Sequence, residues 1–296
     1  MYEFGGANTG DATFNMSGAN STLNLVMRGT EGTAAANDGA DADVEAVTVN
    51  LAATAPATTK ATINIESQGD LADDGAAANV NNVGTVTAVA GSTIKITGAG
   101  NLDLAGLANK GTIDASAATG NLVLEGSQFV EFAAGAPATA FKSGADMITL
   151  GAGKDTVQFD NGLDSGVRDG TSATTLAKGL EIDVVNGFTA GVGGDVLDFT
   201  TVVATDSDYT ATTAAAQANI DALAGATATL EAAADIATNA LVHDAGANGE
   251  WTAFTFQGQT YAVYDAAAGG DYADADDLLV QITGVTVANL TDANFA

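Results

Sequence analysis

"SGADMITLGAGKDTVQF", residues 143–159, repeats a phrase: Gly144, Asp146 and Ile148 return nine positions later as Gly153, Asp155 and Val157. A glycine can turn the backbone at positive φ, an aspartate beside it offers a carboxylate at the bend, and the following aliphatic residue enters a core. "GAGKDTVQF" carries Gly151, Gly153, Asp155 and Val157 in the pattern G-G-x-G-x-D-x-U-x. "KSGADMITL" keeps part of it, and "DNGLDSGVR" keeps only Gly162 and Asp164. A stacked coil with a cation in its turns follows from that pattern; two ordinary β-turns that carry Asp are the plainer reading of the same residues.

Working upstream, short segments of period two succeed one another. They include "TLNLVM" (22–27), "VEAVTVNL" (44–51), "ATINIES" (61–67), "STIKITG" (92–98), "NLDLAG" (101–106), "GTIDAS" (111–116), "NLVLEG" (121–126) and "FVEF" (129–132). Ile, Val or Leu alternate with Thr, Asn, Lys or Asp, so each predicts a strand with one buried face. Their even spacing suits one strand per side of a solenoid, and equally a β-sandwich. The turns are Gly/Asn/Ala tracts in a chain with only 2 Pro, and this favours the solenoid.

Downstream the period changes. Ile220, Leu223, Leu230, Ala237 and Leu241 in the Ala-rich stretch 211–244 predict a helical insert broken near Gly225. "WTAFTFQGQTYAVYD" (251–265) predicts a hairpin turning at Gly258-Gln259 in a type II′ turn, with "DLLVQITG" (277–284) as a third strand. The expected fold class is therefore all-β: a β-solenoid (parallel β-helix or β-roll) with a short helical insert and a small C-terminal β-meander. The expected division is 1–142 strand repeats, 143–210 calcium-binding β-roll, and 211–296 helical insert, hairpin and C-terminal segment.

The charge directs the functional reading. Against 37 Asp plus Glu stand 8 Lys plus Arg, a formal net charge of −29 over 296 residues, yet 46% of the chain is hydrophobic, which is too much for a disordered acidic tail. A polyanion repels nucleic acid and anionic lipid and attracts hard divalent cations, so neither nucleic acid nor membrane insertion is expected. No run of about 18 apolar residues is present. Without Cys there is neither a disulfide nor a thiolate metal site.

The expected calcium ligands and turn glycines are Gly144, Asp146, Gly151, Gly153, Asp155 and Asp164. Two further acidic groups join them: Asp183, Asp195 and Asp198 around "NGFTAGVGGD", and Asp271, Asp274 and Asp276 beside Asp277 in "GGDYADADDLL". The last is not an EF-hand, since no Glu follows at the twelfth loop position. Solvated strand ends and an exposed acidic loop are the plain alternatives for these two groups.

The block from Ser143 to Phe199 resembles the RTX calcium-binding region of bacterial proteins exported by type I secretion. "FQGQTYAVYD…DADDLLVQITGVTVANLTDANFA" and "ITGAGNLDLAGLANKGTIDASAATGNLVLEG" are similar to segments of RTX-type surface-layer proteins. The resemblance covers most of residues 85–296. It implies a right-handed calcium-binding β-solenoid, an uncleaved C-terminal export signal, and assembly of copies on the outer cell surface. The opening "MYEFGGANTG" has no basic region followed by an apolar run, which suits that export route. The long calcium array of the family is mostly missing, so this chain binds few ions or forms the end portion of a longer protein.

Catalysis finds little to work with. His243 is the only His, which excludes the two-His zinc helix of RTX-tailed proteases, and no G-x-S-x-G accompanies it for a triad. Carboxylate pairs for glycoside hydrolysis are abundant, but Trp251 is the only Trp. A lyase wants a basic group beside calcium, and Arg28 and Arg168 are the only arginines. The expectation is a non-enzymatic, extracellular, cell-surface subunit that binds calcium, copies of itself and a cell-surface polysaccharide. An adhesin with a calcium-stiffened stalk is the alternative.

Overall fold

The computed structural model describes residues 2–5, 12–16, 21–28, 43–44, 47–51, 61–68, 80–83, 86–87, 92–104, 107–108, 112–126, 147–159, 165–168, 179–199, 209–225, 228–241, 249–266, 272 and 277–296. The chain divides into two compact units, residues 1–125 with 147–157, and residues 126–146 with 158–296. The expected strand "FVEF" lies outside the described residues; of the stretches 31–43 and 67–82, expected as loops, Asp43 begins a strand, Ser67 and Gln68 end one and residues 80–82 belong to another, the rest lying outside the described residues.

In the first unit, alternation becomes parallel pairing. Tyr2–Gly5, Thr22–Arg28, Thr62–Gln68, Thr93–Gly98, Thr112–Ala118 and Met147–Thr149 succeed one another in one parallel sheet. Register is set by the apolar face, because a slip of one residue would turn every Ile outward. Leu23, Ile63, Ile94, Ile113 and Ile148 stand directly opposite one another and are all buried. Leu25, Ile65 and Ile96 form the next inward row. Each such side chain contributes about 1.5–3 kcal/mol by burial.

The outward rows follow from the same register. Thr22, Thr62, Thr93 and Thr112 lead to Met147, and Asn24, Asn64, Lys95 and Asp114 lead to Thr149. Two smaller parallel sheets complete the unit. One holds Asp43–Val44, Val80–Val83, Asn101–Leu104 and Leu122–Glu125, the other Ala12–Met16, Val47–Leu51, Val86–Thr87 and Leu107–Ala108.

The second unit is built differently. Val184–Asn186 runs parallel to Leu278–Ile282, which is antiparallel to Gln259–Asp265, itself antiparallel to Glu250–Phe256. Two helices pack on this mixed sheet: α1, Ala214–Asp221, and α2, Leu230–Thr238. Thr213 and Thr229 cap them through side-chain oxygens that accept from Ala216 and Ala232 N–H, and Gly225, at φ +62°, breaks the run between them.

The expectation of an all-β solenoid is corrected here. The described residues close no solenoid, and the second unit is mixed α/β, with a sheet of both strand senses under a helical layer. The Ala-rich stretch is a structural layer rather than an insert. Ala233, Ala234 and Ala237 are wholly buried with Ile220, Leu230, Phe254, Val263 and Leu279 in one core, because small side chains let a helix approach a sheet closely.

The helical layer also closes an edge. The Gln217 side-chain amide accepts from Thr255 N–H (3.0 Å) and donates to Thr255 C=O (2.8 Å), as a neighbouring strand would, while Thr210 N–H donates to Trp251 C=O (2.9 Å). Strand Glu250–Phe256 is thereby shielded from pairing with another chain.

Candidate metal centre

Of the expected ligands, Gly144, Asp146, Asp164, Asp271, Asp274 and Asp276 lie outside the described residues, as does His243. The remaining six fall in four places.

Gly151, Gly153 and Asp155 end a column of stacked turns in the first unit. Asn121 N–H donates to Asn101 Oδ1 (2.8 Å), and Lys154 N–H donates to Asn121 Oδ1 (2.8 Å), so Gly100-Asn101-Leu102, Gly120-Asn121-Leu122 and Gly153-Lys154-Asp155 occupy equivalent positions. The glycines allow the turns to stack closely: a Cβ on Gly151 would strike Ala118 C=O, and one on Gly153 would strike Gly120 C=O. Asp155 therefore stands where Leu102 and Leu122 stand, in the inward row, with 0% of its surface exposed. Its carboxylate accepts from Leu122 N–H (3.0 Å) and Gly151 N–H (3.2 Å).

Asp155→Ala orphans those two backbone donors and is expected to cost about 3 kcal/mol, whereas Asp155→Asn keeps one acceptor oxygen, turns its amide NH2 toward the other donor and is expected to cost about 2 kcal/mol. Urea unfolding of the two variants measures the difference.

Asp183, Asp195 and Asp198 belong to the second unit and stand apart: Asp183 directly precedes strand Val184–Asn186, Asp195 closes a turn, and Asp198 lies within strand Val196–Phe199. Asp183 is buried, its N–H donating to Ser165 Oγ (2.8 Å) and its C=O accepting from Gln281 N–H (2.9 Å). Asp195 closes the glycine-rich turn: Oδ2 accepts from Thr189 N–H (2.7 Å), Asp195 N–H donates to Thr189 C=O (2.8 Å), and buried Asn294 donates to Asp195 C=O (2.8 Å). Asp198 is half-buried; desolvation pushes its carboxyl above the usual range, against the bond donated by Gln158 Nε2 (3.2 Å).

Among the described residues, a further set of acids stands together that the spacing of the sequence did not reveal. Glu250 pairs with Asp265 across the hairpin, and one residue beyond the last pair of the next ladder, Tyr264 with Leu278, comes Asp277, just before the third strand. The three are 3%, 1% and 2% exposed. Asp277 Oδ1 accepts from Ala266 N–H (3.0 Å). Like charges on directly opposed residues are destabilising. Their field also reaches Tyr264, whose phenol is pushed up to about 12, mainly by burial and then by Asp265 and Asp277.

The expected hairpin turn hid this row. The tight turn is Gln257-Gly258, with φ of 49° and 80°, both positive as in type I′, rather than Gly258-Gln259 in type II′. Moving the turn back one residue changes every cross-strand partner by two, and only the true register brings Glu250 against Asp265. Glu250 and Asp265 were legible as acids at the two ends of the hairpin, but not as neighbours.

Among the described residues, no group of three or more His, Cys, Asp or Glu is placed so that it could hold a metal ion. The chain matches no known protein family, and no curated protein matches it.

Proposed function

We infer that this chain is a non-catalytic structural subunit of the outer bacterial cell surface, which binds calcium and assembles with copies of itself. One observation carries the reading. Among the described residues, Glu125, Asp155, Asp183, Asp195, Glu250, Asp265 and Asp277 are buried carboxylates, in a chain whose Lys and Arg number only 8. Burying a carboxylate in its charged form costs several kcal/mol unless its charge and hydrogen bonds are satisfied. Backbone N–H groups donate to Asp155, Asp195 and Asp277, and a hard, oxygen-seeking cation is the ligand that suits so acidic a chain. The likeness of residues 143–199 to RTX sequences names the same ion.

At low cytoplasmic calcium such a chain stays apart from its copies through its own charge; outside, at calcium near the dissociation constants of extracellular sites, roughly 10⁻⁴ to 10⁻³ M, that repulsion is lifted. Binding to the folded state contributes about 2.7 kcal/mol per site at a hundredfold excess of ion over its dissociation constant. The urea midpoint is therefore expected to rise with calcium and to fall back with EGTA, and sedimentation and electron microscopy in calcium are expected to show ordered assemblies. Calorimetry that detects no calcium binding would overturn the reading. A calcium-stabilised chain that stays monomeric would replace it with the adhesin.

A further inference from the structure

We propose that the outward Thr/Asn face of the large parallel sheet in the first unit is a self-docking surface, taken by the same face of a second copy of this chain. The inference rests on the self-assembly reading above and names one face that takes part in it, by a contact that joins copies in pairs.

Charge singles this face out. In a chain of net charge −29, the described side chains of its two outward rows, with Glu66 and Thr97 beyond them, include only Glu66, Lys95 and Asp114 as charged groups; the remainder are mostly Thr and Asn. A like-charged copy can approach here without the repulsion it meets elsewhere. The face is also open, with Thr22, Asn24, Lys95 and Thr97 exposed and Met147 50% exposed at the end of the threonine row.

Geometry supplies the complementarity. Lys95 and Asp114 are direct neighbours on adjacent strands, about 4.8 Å apart along the sheet. A twofold axis lying in the contact plane, parallel to the strands and midway between these two, sets Lys95 of one copy against Asp114 of the other and the reverse. The same axis sets Thr93 against Thr112 and Thr62 against Met147, so hydroxyls meet hydroxyls and the exposed methionine meets a threonine methyl. This is an isologous contact, in which each residue's partner is also its partner's partner. Aligned packing of two sheet faces is an ordinary way to join them. Within one chain, Asp114 is turned toward the face by its bond from Ser116 Oγ (2.6 Å), which holds its carboxyl below the usual range with lesser help from Lys95.

The test is charge exchange in the full-length chain, in calcium, read by sedimentation velocity. Lys95→Glu alone opposes two acids across the contact, and Asp114→Lys alone opposes two bases. Each is expected to weaken self-association about tenfold or more. In an equal mixture of the two variants, a copy of one meeting a copy of the other sets acid against base at both of the twofold-related contacts. Association is then expected to return to within about threefold of the wild type. Restoration in the mixture cannot come from a pair within one chain, since neither variant holds one. Far-UV circular dichroism melts check that both variants fold, an exposed pair being worth only about 0–1 kcal/mol. If the wild type associates and the single variants associate equally well, this face is wrong and self-assembly stands. If the variants weaken association but their mixture does not recover, the twofold pairing is overturned. If the wild type stays monomeric in calcium, the self-assembly reading falls, and this inference with it.

Discussion

Gly98→Ala is expected to destabilise the first unit by about 4 kcal/mol, the largest single-residue effect in that unit. Gly98 has φ +103°, and a Cβ there would fall inside the van der Waals radius of Ser67 C=O on the neighbouring strand. Ser67 cannot give way: its C=O accepts from Gly100 N–H (3.0 Å), its Oγ donates to Asn101 C=O (3.1 Å), and buried Asn81 donates to that same Oγ (2.8 Å). The matched control is Gly193→Ala, where φ is +81° but nothing lies within 4 Å of the added carbon, so only backbone strain of about 1 kcal/mol remains. Urea midpoints of both variants by far-UV circular dichroism test the contrast. Equal losses would mean that dihedral strain alone, and not the close approach, explains Gly98.

Trp251→Ala is expected to cost about 3–5 kcal/mol in the second unit. The side chain is wholly buried, its ring centroid 5.3 Å from Tyr264 and 5.1 Å from Phe295. Phe295 in turn stacks on Tyr209 at 4.6 Å, and Tyr264 meets Phe199 at 4.6 Å, so the indole is the hub of an aromatic cluster. Trp251→Phe behaves differently. The indole Nε1 is buried without a hydrogen-bond partner among the described residues, so phenylalanine loses packing but removes an unsatisfied donor, and the net cost is expected below about 1.5 kcal/mol. Unfolding followed by near-UV circular dichroism of the remaining tyrosines measures both. A Phe variant as weak as the Ala variant would show that Nε1 has a partner after all.

Much of the secondary structure was readable from local pattern. "TLNLVM", "ATINIES", "STIKITG" and "GTIDAS" form strands because alternating Ile and Leu cannot be buried on one side by any other backbone. The helices fall inside the Ala-rich stretch and break at Gly225, where only glycine takes φ +62° without strain. Pattern failed where packing chose between equal options. Ala233, Ala234 and Ala237 carry no strong hydrophobic signal, so their stretch read as an appendage. Their small size is what presses α2 against the sheet and makes the second unit mixed α/β. Asp155 read as a turn residue like any other in its repeat, and only the stacking of Asn101, Asn121 and Lys154 places it in the row of Leu102 and Leu122.

What the chain determined by itself was the surplus of acid, the one-sided strands and the glycine bends, because charge, period and backbone freedom belong to residues one at a time. What only the tertiary structure decided was which acids become neighbours. Glu250, Asp265 and Asp277 lie far apart in sequence and meet through a hairpin register set by a two-residue turn and by the burial of Trp251, Phe254, Val263 and Leu279. Register is a cooperative property of whole strands: these strands are buried on both faces, so shifting it would break every packing contact together, and the core holds the carboxylates in place although nothing near them in the sequence announces it.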